Sequence, residues 1–182
     1  QKGGFSPEDS IRVAQLFSDS GIDNIEISGG TYEQPRLLGL DKVSINPKKS
    51  ENRKESTIAR EAYFLSYAEE IAKVVNIPLM VTGGFRTKEG MEAALADGAC
   101  EIVGVGRPLC ANPYAIKELL AGQIDELPKY EKTLSIGPWW LSPTSPFRLI
   151  QAINAFSAQA WFYQQIKKMG KGLMPDLTLK PW

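Results

Sequence analysis

The stretch "LMVTGGFRTKEGMEAALADGACEIVGVGRP" at residues 79–108 decides the fold. Two apolar runs without polar alternation precede the glycine turns at 83–84 and 104–106, and such runs are typical of strands buried on both faces. The segment 87–97 between them has helical spacing and stops at a glycine, as helices often do. A strand, a helix and a second strand in succession predict a parallel pairing of the two strands.

The same alternation flanks this stretch. Ser6 has the sequence context of an N-cap, so a helix is predicted from there to residues 20–21, followed by a strand over 24–28. Helical spacing returns over 55–75 and again over 113–120. Helix and strand therefore alternate three times, which predicts an α/β fold with a parallel sheet covered by helices, either a closed barrel or an open doubly wound sheet.

The remaining segments are less regular. Residues 31–54 are polar and interrupted by proline and glycine, which favours a functional loop at a strand's carboxyl end. The chain is predicted to divide into a strand and helix region, 1–126, and a second region, 127–182. The second region combines a proline-rich segment with a helix over 147–169 that packs on the first region or on a partner.

Composition limits the function. The 182 residues contain 21 Lys plus Arg, 21 Asp plus Glu and no His. The balanced charge gives no reason to expect a nucleic-acid partner, and the lack of long apolar runs gives none to expect a membrane. The absence of histidine disfavours a self-sufficient hydrolase, because histidine is the commonest acid or base near neutral pH. Two cysteines without metal-ligand spacing predict no metal site and a cytoplasmic location.

The two glycine turns are candidate anion-binding elements. Glycine at the carboxyl end of a strand lets backbone N–H groups approach a ligand closely. Arg107 adds a permanent charge whose planar fork can meet two phosphate oxygens. The plainer interpretation is that the glycines serve only tight turns and that Arg107 is a solvated charge. A dinucleotide fingerprint is not expected, because the glycine spacing differs and the second turn leads to Arg-Pro rather than straight into a helix.

The segment "IPLMVTGGFRTKEGMEAALADGACEIVGVGRPLCANP" closely resembles the carboxyl half of old yellow enzyme-type NADH:flavin oxidoreductases, which are FMN-dependent TIM barrels. The resemblance extends to "GIDNIEISGGTYEQP", "REAYFLSYAEEIAKV" and "WFYQQIKKMGKGLMPDL", and so to nearly the whole chain. It implies the carboxyl-terminal portion of a (β/α)8 barrel, about strands six to eight, with a carboxyl-terminal helical extension. Residues 1–126 would then be a partial FMN-binding barrel.

The resemblance also implies the site residues and the cofactors. The backbone of Gly83, Gly84 and Gly106 and the side chain of Arg107 would hold the FMN phosphate, and Phe85 would lie near the flavin. NAD(P)H would be the reductant, and an electron-poor small molecule such as an activated alkene the acceptor. A homo-oligomer is left open.

The family's motifs for the flavin's reactive ring do not occur in this sequence, so the catalytic residues stay unknown. A whole barrel has eight strands and about 250 residues. The chain is therefore expected to be incomplete, and FMN binding by these 182 residues alone is expected to be poor.

The remaining polar candidates receive structural interpretations. The residues near the end of the first strand lie at the rim where barrel active sites form and are candidates for substrate contact, but interpretation as barrel-lining groups or loop anchors is favoured. Two helix residues and both cysteines are interpreted as packing or surface groups. In chain order these are Glu26, Ser28, Tyr32, Glu33, Arg60, Tyr63, Cys100 and Cys110. Two functional alternatives also remain: a non-redox phosphate-binding barrel enzyme, and an inactive truncated product that acts as an interaction module.

Overall fold

The computed structural model describes residues 6–28 and 65–181, which fall into two compact units. The first contains residues 6–28 and 65–105, and the second contains residues 106–181. The division therefore falls directly after the last predicted strand. The sequence-based boundary between residues 126 and 127 stays a prediction.

The first unit is a three-stranded parallel sheet in the order β1-β2-β3, with helices between the strands. The predicted strands and their parallel pairing are confirmed, and each strand is three or four residues long. Only part of the predicted helix 55–75 can be compared, because residues 55–64 lie outside the described residues. The elements are α1 (Pro7–Asp19), β1 (Ile25–Ser28), α2 (Leu65–Ala72), β2 (Leu79–Thr82), α3 (Lys88–Ala96) and β3 (Ile102–Gly104).

Helix α1 begins as its sequence predicts. The Ser6 hydroxyl accepts a hydrogen bond from the Asp9 amide at 3.1 Å, and the Asp9 carboxylate accepts one from the Ser6 amide at 3.1 Å. Pro7 occupies the first turn, where its missing N–H costs nothing. The chain then turns at Gly21, whose φ of 80° suits glycine.

Strand β2 is the centre of the first unit's core. Leu79 and Val81 are almost completely buried, and they pack with Ala68 and Ile71 of α2 and Ala94 of α3. Burial of an aliphatic side chain of this size contributes about 1.5–3 kcal/mol. Leu79 and Val81 lie on one face of β2, whereas Met80 and Thr82 on the other face are only partly buried, so burial on both faces is found only in part.

The carboxyl ends of β2 and β3 approach each other closely at one residue pair. Thr82 is paired with Gly104, and Gly104 is buried. A Cβ atom at Gly104 would lie 2.8 Å from Thr82 Cβ and 2.7 Å from Met80 Cε. A side chain at position 104 would therefore overlap its neighbours, which explains the glycine. Backbone conformation does not explain it, because the φ angle of Gly104 lies outside the left-handed region.

The second unit consists of short helices arranged along one long helix. The predicted helices 113–120 and 147–169 are confirmed. The elements are α4 (Arg107–Ala111), α5 (Ala115–Leu120), α6 (Tyr130–Thr133), a 3₁₀ turn (Trp139–Leu141) and α7 (Arg148–Met169).

One sequence-based expectation is wrong. The second glycine turn does lead straight into a helix, because α4 begins at Arg107 with Gly106 at its N-cap. Pro108 lies in the first turn of α4, where a proline has the required φ and no amide hydrogen is needed. Arg-Pro after a glycine therefore marks a helix start in this chain.

A small aromatic cluster, which we call the α4–α7 cluster, forms the core of the second unit. Ala111 of α4 packs with Trp161 and Phe162 of α7, and Tyr130 and Leu134 pack against them. The rings of Tyr130 and Trp161 have centroids 5.9 Å apart. Packing of α7 on the barrel or on a partner stays a prediction.

Polar side chains of α7 hold the irregular segments of the second unit. Asn154 accepts a hydrogen bond from the Ile136 amide at 3.0 Å and donates to the Leu141 carbonyl at 2.8 Å. Gln165 is fully buried and exchanges two hydrogen bonds with the backbone of Asp176. None of the helices in residues 6–28 and 65–181 is long and apolar enough to cross a membrane.

Replacement of Gly104 by alanine tests the close approach of β2 and β3. The added methyl group overlaps Thr82 and Met80, so we expect Gly104→Ala to lower the free energy of unfolding by about 1–3 kcal/mol. The control is Gly106→Ala, because no atom lies within 4 Å of a Cβ placed there. Chemical denaturation followed by circular dichroism measures both variants, and equal effects would contradict the packing account.

Asp176 gives the second unit a dependence on pH. Hydrogen bonds from the Thr178 hydroxyl and the Lys168 ammonium group lower the pKa of Asp176 to about 2. Because the pKa is lower in the folded chain, the stabilisation is present above the ordinary aspartate pKa and is lost as pH falls from about 4 to about 2. We expect the melting-temperature difference between the wild type and Asp176→Asn to shrink over that interval. A difference that stays constant from pH 6 to pH 2.5 would exclude this contribution.

Candidate functional site

The carboxyl ends of β2 and β3 lie at one edge of the sheet, as predicted. Thr82 and Gly104 are register partners and each is the last residue of its strand. The first glycine turn, Gly83-Gly84, leaves that edge directly after Thr82. The polypeptide leaves β3 at the same edge through Val105, the last residue of the first unit. In α/β proteins, ligands bind at the carboxyl ends of parallel strands.

Gly83 and Gly84 have backbone conformations that other residues rarely adopt. Their φ angles are 132° and 85°, and both residues are partly exposed. A side chain at either position would strain the turn. This backbone, with no side chains to shield it, is the kind that a phosphate group can approach closely.

Thr82 adds a polar atom at the same edge. In the part of the chain that the structure describes, its hydroxyl oxygen is buried and has no hydrogen-bond partner. A buried polar group without a partner costs about 1–3 kcal/mol, so such groups in native proteins call for an explanation. The sequence indicates Thr82 only as the residue at which the strand passes into the first glycine turn, because a single threonine there carries no motif.

Phe85 and Arg86 follow the turn and both are buried. The Phe85 side chain is 1% exposed and packs in the core with Leu79 and Val81. Its predicted position near a flavin stays a prediction. Arg86 is 7% exposed, and its Nη1 atom donates to the Phe85 carbonyl at 2.8 Å. No motif in the sequence distinguishes Arg86 from a surface charge.

Gly106 and Arg107 begin the second unit. Gly106 is exposed, and no atom lies within 4 Å of a Cβ placed on it. The Arg107 side chain is 36% exposed, and its Nη1 atom forms an ion pair with Glu131 Oε1 at 3.5 Å. Arg107 thus has a carboxylate partner, and both its assignment to a phosphate and the plain interpretation as a surface charge stay predictions. Glu131 lies on α6 and has no motif in the sequence that links it to Arg107.

The other polar candidates that fall within residues 6–28 and 65–181 form no grouped site. Glu26 and Ser28 are exposed on β1. Cys100 is buried, and Cys110 is half-buried with its thiol 3.7 Å from the Gly106 carbonyl. Burial raises the pKa of both thiols, which disfavours the thiolate form that a nucleophile needs. Four candidates lie outside the described residues: Tyr32, Glu33, Arg60 and Tyr63.

Known proteins with similar sequences include NADH-dependent flavin oxidoreductases. The chain is 42% identical over 114 residues to the NADH-dependent flavin oxidoreductase iliE of Hypocrea jecorina, a match that covers 62% of this chain and 26% of that protein. It is 33% identical over 165 residues to the NADH-dependent flavin oxidoreductase iccE of Talaromyces variabilis, which covers 88% of this chain and 37% of that protein. The chain thus spans between a quarter and two fifths of the length of these relatives. No family model matches the chain.

A solved structure supports the fold. A 2-naphthoyl-CoA reductase in complex with 2-naphthoyl-CoA superposes with a TM-score of 0.52 at 22% sequence identity. The match covers 70% of this chain and 18% of the reductase. The fold is thus a portion of the α/β barrel predicted from the sequence, with a small parallel sheet.

The sequence matches and the partial barrel fold agree with each other. Together they identify the chain as a member of the NADH-dependent flavin oxidoreductase family. The chain corresponds to only part of the length of its relatives.

Proposed function

We propose that the protein to which this chain belongs is an FMN-dependent oxidoreductase of the old yellow enzyme type. In this proposal NAD(P)H reduces the flavin, and the reduced flavin passes hydride to an electron-poor small molecule such as an activated alkene. The relatives are named NADH-dependent flavin oxidoreductases. The observation that carries the proposal is the glycine turn with two positive φ angles at the carboxyl end of β2, beside the end of β3.

The residues proposed to hold the FMN phosphate have the chemistry that this group requires. Backbone amides of Gly83, Gly84 and Gly106 can donate to phosphate oxygens where no side chain intervenes. The guanidinium of Arg107 can donate two parallel hydrogen bonds to one phosphate. The unpartnered hydroxyl of Thr82 at the end of β2 is buried against Gly104 and is therefore not counted among these donors.

The flavin, when bound, supplies the hydride chemistry. This chain is proposed to supply binding, because the residues that it offers are donors for an anion rather than acids or bases near neutral pH. The sequence contains no histidine, and both thiols have a raised pKa. The groups that orient the acceptor and transfer a proton are therefore proposed to lie elsewhere in the protein.

We also propose that the 182 residues are a portion of a longer barrel. The described sheet has three strands, whereas a closed barrel of this class has eight. An open part of a barrel leaves strand edges unpaired and encloses no flavin ring, so poor FMN binding is proposed for this portion alone. The proposed compartment is the cytoplasm, which fits two free thiols.

Flavin content tests the proposed function directly. We expect the protein expressed from the complete gene to be yellow, with the absorbance bands of oxidised flavin, and NADH to bleach those bands under anaerobic conditions. Colourless protein that FMN cannot reconstitute, but that binds a sugar phosphate, would instead indicate a non-redox phosphate-binding barrel. If the complete gene encodes only these residues and its product binds no flavin, the result would indicate an interaction module.

Substitution of Arg107 tests the phosphate assignment. We expect Arg107→Ala to weaken FMN binding by ten- to a hundredfold, because charge-assisted hydrogen bonds contribute about 1.5–3 kcal/mol. Arg107→Lys restores the charge without the fork and should give an intermediate loss. Arg148→Ala is the matched control, since Arg148 is exposed in the same unit. Quenching of FMN fluorescence measures all three, and equal affinity of Arg107→Ala and the control would exclude Arg107 from the site.

A further inference from the structure

We infer that Glu131 is a positioning residue, which holds the Arg107 guanidinium in the orientation that receives a phosphate group. The inference rests on the proposed function and adds a residue to it. Glu131 Oε1 lies 3.5 Å from Arg107 Nη1, and the Glu131 side chain is 18% exposed against 36% for Arg107. The carboxylate is thus the more buried partner and acts as the fixed end of the pair.

The α4–α7 cluster explains why Glu131 is fixed. Tyr130 and Leu134, on either side of Glu131 along the chain, pack on the cluster, and the Tyr130 ring lies against Trp161. Ala111, in the same short helix as Arg107, belongs to the cluster as well. Both members of the ion pair therefore lie on short helices that pack on one small core, which limits how far their backbones can move apart.

The planar guanidinium makes this arrangement useful for binding. It has five N–H donors in a fixed fork. A carboxylate that takes the Nη1 side restricts the rotation of the long side chain and leaves the other donors of the fork for a ligand. The partial exposure of Arg107 is consistent with a ligand approaching it. An arginine oriented in advance loses less conformational entropy when it binds.

A second effect of Glu131 has the opposite sign. Its negative charge repels a phosphate, so charge alone predicts that removal of Glu131 strengthens binding. Orientation predicts that removal weakens binding. The hydrogen-bonding capacity and the charge of Glu131 can be separated, because glutamine keeps an oxygen acceptor of nearly the same shape and has no charge.

The experiment is a double-mutant cycle in the protein expressed from the complete gene, with FMN as the probe. Dissociation constants from FMN fluorescence quenching are measured for the wild type, Glu131→Ala, Glu131→Gln, Arg107→Ala and the double variant Arg107→Ala/Glu131→Ala. Glu126→Ala is the matched control, since Glu126 is an exposed carboxylate of the same unit that pairs with Lys129. Circular dichroism at the titration temperature confirms that each variant is folded.

We expect Glu131→Ala to weaken FMN binding about tenfold and Glu131→Gln by less than threefold. In the Arg107→Ala background, Glu131→Ala should not weaken binding, because nothing is left to orient, and loss of the repelling charge can only strengthen binding there. A purely structural role of Glu131 would weaken binding equally in both backgrounds, which would overturn the inference.

Two other outcomes are decisive. If the Glu131→Ala variant binds FMN as tightly as the wild type, or more tightly, the positioning role is overturned and the proposed function stays intact. A wild type that binds no FMN would overturn the proposed function, and the positioning role with it.

Discussion

The register pair Thr82–Gly104 holds the carboxyl ends of β2 and β3 together in the first unit. Only a glycine fits opposite Thr82 and Met80, so the backbone of β3 can approach β2 at the point where both strands end. The same edge begins the turn with two positive φ angles, which again only glycine adopts without strain. Glycine is thus needed at position 104 because a side chain would not fit, and at positions 83 and 84 because of the backbone conformation. The consequence is an edge of bare backbone next to the buried Thr82 hydroxyl.

In the second unit, hydrogen bonds from one long helix hold the irregular segments in place. The unit has no described strand, and its irregular segments receive their hydrogen bonds from α7. Asn154 binds the segment that contains the 3₁₀ turn, and Gln165 and Trp161 bind the chain after Gly172. A buried side-chain amide whose oxygen and nitrogen both bind backbone groups stabilises the neighbouring segment and also fixes where it lies. This scaffold carries the α4–α7 cluster and, through it, the ion pair of Arg107 with Glu131.

Sequence pattern predicted the regular elements well, because their physical causes are local. The apolar runs of β2 and β3, the Ser6 cap and the glycine stops all depend on residues a few positions apart. Helix α4 was missed because Arg-Pro looked like an interruption, although proline is favourable in a first turn. The positions of Glu131 and Arg86 could not be predicted in the same way. Glu131 meets Arg107 through packing of separate helices, and the burial of Arg86 depends on how the chain continues after a turn.

The role proposed for the glycine turns and Arg107 is to receive the phosphate of a flavin nucleotide. Comparison of FMN with riboflavin, which lacks only the phosphate, tests this claim most directly. Affinities of both compounds are measured by fluorescence quenching in the protein expressed from the complete gene, after removal of bound flavin. Two or more charge-assisted hydrogen bonds to the phosphate predict that FMN binds on the order of 10²–10⁴ times more tightly than riboflavin. Equal affinities would contradict the claim, because the flavin would then be held without its phosphate.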